Sequence, residues 1–188
     1  MARTGDPARP VTAPVTDPLD LTLDRTSPAP LHHQPAQQLE AAGQSPTTRV
    51  LRNERVPATA EVAAALALPE GTDVTVLERL RGTHGRPVAL LRNHLPTPLL
   101  QLGTARLEST GLYRMPHSAG IAPHRAHQSV GARGATAAEA ALLDEKEGAA
   151  LLTTRRTAYD RTGRPVEYGS HVHRASHHCF DFQLLVRP

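Results

Sequence analysis

The chain has 188 residues, enough for one domain with a tail or at most two small domains, and its apolar content includes no Trp, three Tyr and two Phe, so any core is aliphatic. Basic residues, nearly all Arg, outnumber acidic ones 21 to 18, and a formal charge of +3 spread along the chain is too small to read as a nucleic-acid stripe. One cysteine, Cys179, excludes an internal disulfide; no apolar run approaches the roughly 18 residues of a membrane span, and the polar N-terminus lacks a signal-peptide core, so a soluble cytoplasmic protein with no membrane partner is expected.

Taken in chain order, eight of the seventeen prolines fall between Pro7 and Pro46, in a stretch with few large apolar residues outside "LDLTLD" (Leu19 to Asp24). Such a segment buries too little surface to offset its ordering entropy, and residues 1–46 are expected to be mostly disordered. One island, "PLHHQPAQQLEAAG" (Pro30 to Gly43), carries helix formers, but Pro35 inside it allows only a short helix.

A folded domain is expected over 47–188. "PATAEVAAALALPEG" (Pro57 to Gly71) predicts a helix of about three turns, capped by Thr59, with Val62 and Leu66 on one side. "DVTVLERLRG" (Asp73 to Gly82) and "VALLRNHL" (Val88 to Leu95) read as strands around the turn "THGRP". The segment from Thr97 to Gly134 is a joining stretch. Then the order repeats: "TAAEAALLDEKEG" (Thr136 to Gly148) opens with a capping box, Thr136 with Glu139, and is followed by "ALLTTRRTAYD" (Ala150 to Asp160), the turn "RTGRP", and "VEYGSHVHR" (Val166 to Arg174). A last strand, "CFDFQLLVRP" (Cys179 to Pro188), completes the expected sheet. The doubled GRPV, 78 positions apart, marks two αββ units of an antiparallel-rich α+β domain.

Alternation puts Arg79 and Arg81 on one face of their strand, where two like charges imply an external anion, an internal acid, or solvated arginines on an open face. Glu167, His171 and His173 share a face of the later strand, an arrangement that could fix a polar metabolite. "SHVHRASHHCF" (Ser170 to Phe180) suggests metal, but no second Cys or carboxylate–His pair completes a tetrahedral site. Cys179, beside an apolar strand, is expected to be small and buried. No nucleophile elbow, phosphate loop or GxGxxG is present, and the carboxylates of "DEKEG" (Asp144 to Gly148) read as a solvated face; no catalytic, metal or cofactor site is predicted.

Three blocks, "VLERLRGTHGRPVALLRNHLP", "STGLYRMPHSAGIAPH" and "GATAAEAALLDEKEGAALLTTRRTAYDRTGRPVEYGSHVHRASHHCFDFQLLVRP", resemble the UTRA effector-binding domain of HutC-type members of the GntR family of bacterial transcription regulators. The resemblance implies a chorismate-lyase-like α+β fold that binds a small anionic metabolite, often a sugar phosphate. It implies ligand contacts at Arg79 and Arg81 of the "RxR" motif, Gly111 and Tyr113 of the "glY" segment, Glu167 of "pvEy", and His173 at the aromatic of "yR". Two positions depart from the family pattern: Leu91 replaces a common glutamate, and Gly111 a common serine.

"PLHHQPAQQLEAAG" also resembles the opening helix of the family's winged helix-turn-helix domain, but only Glu40 to Arg49 separate it from the effector domain. Three helices and a wing need about 50 residues at ordinary element lengths. The expectation is a non-enzymatic ligand sensor with an incomplete DNA reader, acting as a homodimer or with an intact regulator; the alternatives are a lyase-like enzyme using the same pocket and a degraded regulator.

Overall fold

The computed structural model describes residues 46–96, 108 and 123–180, within one compact unit. The N-terminal segment with its expected helix over 30–43, and the last expected strand beyond Phe180, lie outside the described residues. The elements run β1 (Pro46–Pro57), α1 (Ala60–Leu66), β2 (Asp73–Thr83), β3 (Arg86–Pro96), β4 (Arg125–Gly134), α2 (Ala137–Leu143), β5 (Ala150–Tyr159) and β6 (Pro165–Arg174). All six strands join one antiparallel sheet in the order β1-β2-β3-β6-β5-β4.

The repeat is therefore larger than expected: each unit is βαββ, its first strand being β1 or β4. β4 occupies the end of what reads as a joining stretch. The halves meet at the β3–β6 seam, where Arg92 pairs with Ser170, its own counterpart 78 positions on. A pseudo-twofold axis thus passes through that pair.

Both helices start as their caps dictate. Thr59 Oγ1 accepts from Val62 N at 3.4 Å, and Thr136 and Glu139 form a complete capping box. Each stops after seven residues, when Ala67 or Asp144 turns left-handed, so α1 has two turns rather than three. The helices lie on one face of the sheet and brace it across the seam. Val62, Ala63 and Leu66 of α1 pack on Val74 of β2 and Tyr168 of β6; Ala140 and Leu143 of α2 pack on Leu151 of β5, Leu90 of β3 and Val172 of β6. Each helix thus covers a strand of the opposite half, and burying one such Leu contributes about 1.5–3 kcal/mol. Tyr168 completes its packing by donating its hydroxyl to Glu61 Oε1 at 2.6 Å; burial, then this carboxylate, pushes its pKa up to about 12.

The two GRPV turns share a role but not a loop. In the first, His84 and Gly85 both have positive φ, as a two-residue type I′ hairpin requires. In the second, Asp160 N donates to Arg164 O at 3.0 Å around three residues, and Asp160 Oδ1 accepts from Thr162 N, Thr162 Oγ1 and Arg164 N. Those hydrogen bonds, the Thr162 hydroxyl first, lower the Asp160 pKa. The extra residue displaces β5 by one position, so β2 maps onto β5 with a separation of 77 rather than 78.

The "DEKEG" carboxylates are not simply a solvated face: Glu145 accepts from the buried Arg174 Nε at 2.7 Å, while Arg174 Nη1 donates to Pro87 O at 3.0 Å. This tie anchors the segment after α2 to β6 and to the start of β3.

Candidate functional site

The sheet face opposite the helices is also buried at its centre, where polar side chains stand among the apolar Leu77, Ala89, Leu91 and Leu95. Residues paired across strands share a face, and the register puts Arg79 and Arg81 of β2, Asn93 of β3, Glu167, Gly169, His171 and His173 of β6, and Arg156 of β5 on this one. Arg79 and Arg81 are 2% and 6% exposed, so the reading of two solvated arginines is wrong.

A continuous polar chain crosses four strands. Arg79 Nη2 donates to Asn93 Oδ1 at 2.7 Å, Asn93 Nδ2 donates to Glu167 Oε1 at 2.6 Å, and Arg156 Nη2 stands 3.6 Å from Glu167 Oε2. Glu167 is fully buried, where a carboxylate is costly without partners; Asn93 from one half of the molecule and Arg156 from the other hold it. Arg81 Nη1 donates to Thr48 Oγ1 of β1. The internal-acid reading of the arginine pair is therefore met indirectly, through an amide that relays Arg79 to Glu167.

Gly169 makes the cluster compact. A Cβ there would stand 2.6 Å from both Glu167 Oε1 and His171 Nε2, so the space above this residue is where the two polar tips converge. Burial, then the charges of Arg156, His173 and Arg79, holds the His171 pKa well below the usual imidazole value. Burial, then His178, lowers that of His173 to about 3. Both rings are therefore neutral at physiological pH, each with one donor and one acceptor. The Nδ1 atoms of His171 and His173 are buried without a hydrogen-bond partner among the described residues. His173 is stacked on His178, centroids 4.5 Å apart and planes 16° apart, with the Phe180 edge against both.

Among the expected contacts, Arg79, Arg81, Glu167 and His173 lie on this face together, while Gly111 and Tyr113 lie outside the described residues. Asn93 and Arg156 were not singled out from the sequence. Asn93 is the middle residue of the polar run Arg92 to His94, and Arg156 is the residue that the strand register, one position off the GRPV repeat, aligns with Arg79. Among the described residues no group of three His, Cys, Asp or Glu has a metal-holding arrangement, and stacked imidazoles do not aim at a common ion. Cys179 is exposed rather than buried, because the chain has left the sheet at Arg174.

The chain matches the profile of the UTRA domain over residues 41–178. It is 26% identical over 145 residues to the HTH-type transcriptional repressor NagR of Bacillus subtilis, covering 77% of this chain and 60% of NagR. It is 31% identical over 159 residues to PhnF of Escherichia coli, described as a transcriptional regulator, covering 82% of this chain and 66% of PhnF. The chain thus spans between half and two thirds of the length of such relatives. A crystal structure described as a transcriptional regulator from Streptomyces coelicolor is 56% identical with a TM-score of 0.71, covering 77% of this chain and 97% of that one. The ligand-binding domain of a GntR-family regulator from Bordetella bronchiseptica is 27% identical with a TM-score of 0.69, covering 75% and 91%. Among the described residues no helix is long and apolar enough to cross a membrane.

Proposed function

We propose, from the premise that the chain belongs to the UTRA domain family, that the polar face of its sheet is the effector site of a GntR-type regulator module and takes a small anionic metabolite of the sugar-phosphate kind. The observation that carries this reading is the buried chain Arg79–Asn93–Glu167–Arg156. Guanidinium groups suit a phosphate or carboxylate bidentately, while Glu167 and neutral imidazoles suit hydroxyl groups. Relatives named as transcription regulators, and a similar structure named as a ligand-binding domain, support sensing rather than catalysis.

The same reading places the coupling between sensing and output at the seam. Asn93 and Glu167 join the two halves across β3 and β6, so an effector that engages both halves favours the arrangement in which they are drawn together. In this reading the module works in the cytoplasm as a dimer with itself or with an intact regulator. Isothermal titration with a panel of sugar phosphates tests the site: at least one binds, and Arg79→Ala weakens it tenfold or more, the worth of a hydrogen-bonded charge. Absence of binding by the unaltered protein, or equal binding by Arg79→Ala, overturns the reading.

A further inference from the structure

The sheet ends in two outer strands, and they are guarded differently. β1 carries the devices that keep an edge from pairing: Pro46 and Pro57 at its ends, a bulge between Val50 and Arg52, and the charged side chains of Arg49, Arg52, Glu54 and Arg55. Its outward backbone is also occupied, since Val50 N donates to Glu108 Oε1 at 2.9 Å. Residues 126–132 of β4 hold neither proline nor Lys, Arg, Asp or Glu, and the ladder to β5 runs from Arg125 to Gly134 without a bulge. No described residue pairs with the outer edge of β4.

The direction of the β4 backbone groups follows from its end. Ala135 N donates to Ala149 O at 2.9 Å just beyond the strand. Hydrogen-bonded and non-hydrogen-bonded pairs alternate along an antiparallel ladder, so His127, Ser129, Gly131 and Arg133 turn their backbone groups to β5, while Gln128, Val130 and Ala132 turn theirs outward. Val130 stands at the middle of this outward row, and at 44% exposure it is the one large apolar side chain left exposed among the described residues. A lone exposed valine means little elsewhere on a surface. Here it marks the centre of an edge whose donors and acceptors are set for another strand.

We infer that the outer edge of β4 pairs antiparallel with β4 of a second copy of this chain, Val130 meeting Val130 on a twofold axis. The inference names the surface of the dimer in the reading above and rests on that reading only for the choice of a second copy. A twofold contact requires a patch that complements itself, and this one does. With Val130 on the axis, Gln128 opposes Ala132, Ser129 opposes Gly131, and Arg133 opposes His127, so no arginine faces an arginine. Centring the pair on Ser129 instead would set Arg125 against Arg133, which like-charge repulsion disfavours. Main-chain hydrogen bonds supply the affinity in strand addition of this kind. Cross-strand neighbours share a face, so the two sheets run on as one, with the helices of both copies on one side and both polar faces on the other. Val130 lies on the polar side, in line with Thr154 of β5 and His171 of β6.

Sedimentation of the full chain over a concentration series tests the contact. The unaltered chain is expected to dimerise, and Val130→Lys and Val130→Glu each to weaken the dimer about tenfold or more, because either substitution sets two like charges across the axis. Mixing the two variants is expected to restore the dimer, since lysine then faces glutamate. Unchanged dimerisation in both variants, or a mixture no tighter than the variants alone, overturns the inference while leaving a dimer through another surface standing. A monomeric unaltered chain overturns both. Amide hydrogen exchange in the unaltered protein decides the matter if a variant does not fold. The Gln128, Val130 and Ala132 amides should exchange faster on dilution, while those of Ser129 and Gly131, bonded to β5, keep one rate at every concentration. Exchange at the three outward amides that does not depend on concentration overturns the inference.

Discussion

The two faces of this sheet are both buried at the seam and are built from the same strands, yet they differ in kind. On the helix side, alternate positions carry Val74, Leu90, Leu151, Tyr168 and Val172 under Leu66 and Leu143. On the other side, the intervening positions carry Arg79, Arg81, Asn93, Arg156, Glu167 and His173 beside Leu77, Leu91 and Leu95, several of the polar ones almost fully enclosed. Burial alone therefore does not mark a core. The helix face repays its ordering with apolar contact, whereas the other face desolvates charges, which cost stability unless they are paired.

Substitutions that separate the faces sharpen the comparison. The largest loss of stability is expected at Leu143, which is fully buried between α2 and the seam. Leu143→Ala should cost about 2–5 kcal/mol in chemical denaturation. The affinity of the folded variant for a sugar phosphate that the unaltered protein binds should not change, because Leu143 packs on the helix face; a change in that affinity would mean the faces are not separable.

A smaller effect is expected at the start of α2. Arg133 grips Glu139 with two hydrogen bonds of 2.6 Å while Glu139 accepts from Thr136 N at 3.0 Å; these interactions, the Arg133 hydrogen bond first, lower the Glu139 pKa from 4.5 to about 2. A depressed carboxylate contributes stability that is complete above its unfolded value and is lost as pH falls from about 4.5 toward about 2. The pair is partly solvated, so the contribution is discounted to about 1 kcal/mol. Denaturation midpoints across that window should fall less steeply for Glu139→Gln than for the unaltered protein; identical slopes would remove the pair from the account.

The same contrast explains what could be read from the sequence. β2, β3, β5 and β6 announce themselves by alternation because each is packed on at least one face, and the helix caps at Thr59 and Thr136 are local chemistry. β1 and β4 were not read as strands. They are the outer strands of the sheet, β4 is exposed almost throughout, and "RAHQSVGARG" has no buried side chain to impose a pattern; its structure comes from the backbone ladder to β5. The arginine pair was legible as a motif at Arg79 and Arg81. Its connection to Glu167 was not, because Asn93 joins them across strands 74 positions apart, and only the register of β3 against β6 brings the amide to the carboxylate. Arg156 was hidden by one residue: the longer second turn shifts β5 relative to the repeat that GRPV announces.

The central claim is that recognition belongs to the polar face. Backbone amide chemical-shift mapping with whichever sugar phosphate binds most tightly tests it most directly. The account predicts shifts clustered at Arg79, Asn93, Arg156, Glu167, Gly169 and His171, with α1 and α2 left largely undisturbed. Shifts concentrated in the helices or along β4, with those six amides unmoved, would contradict it.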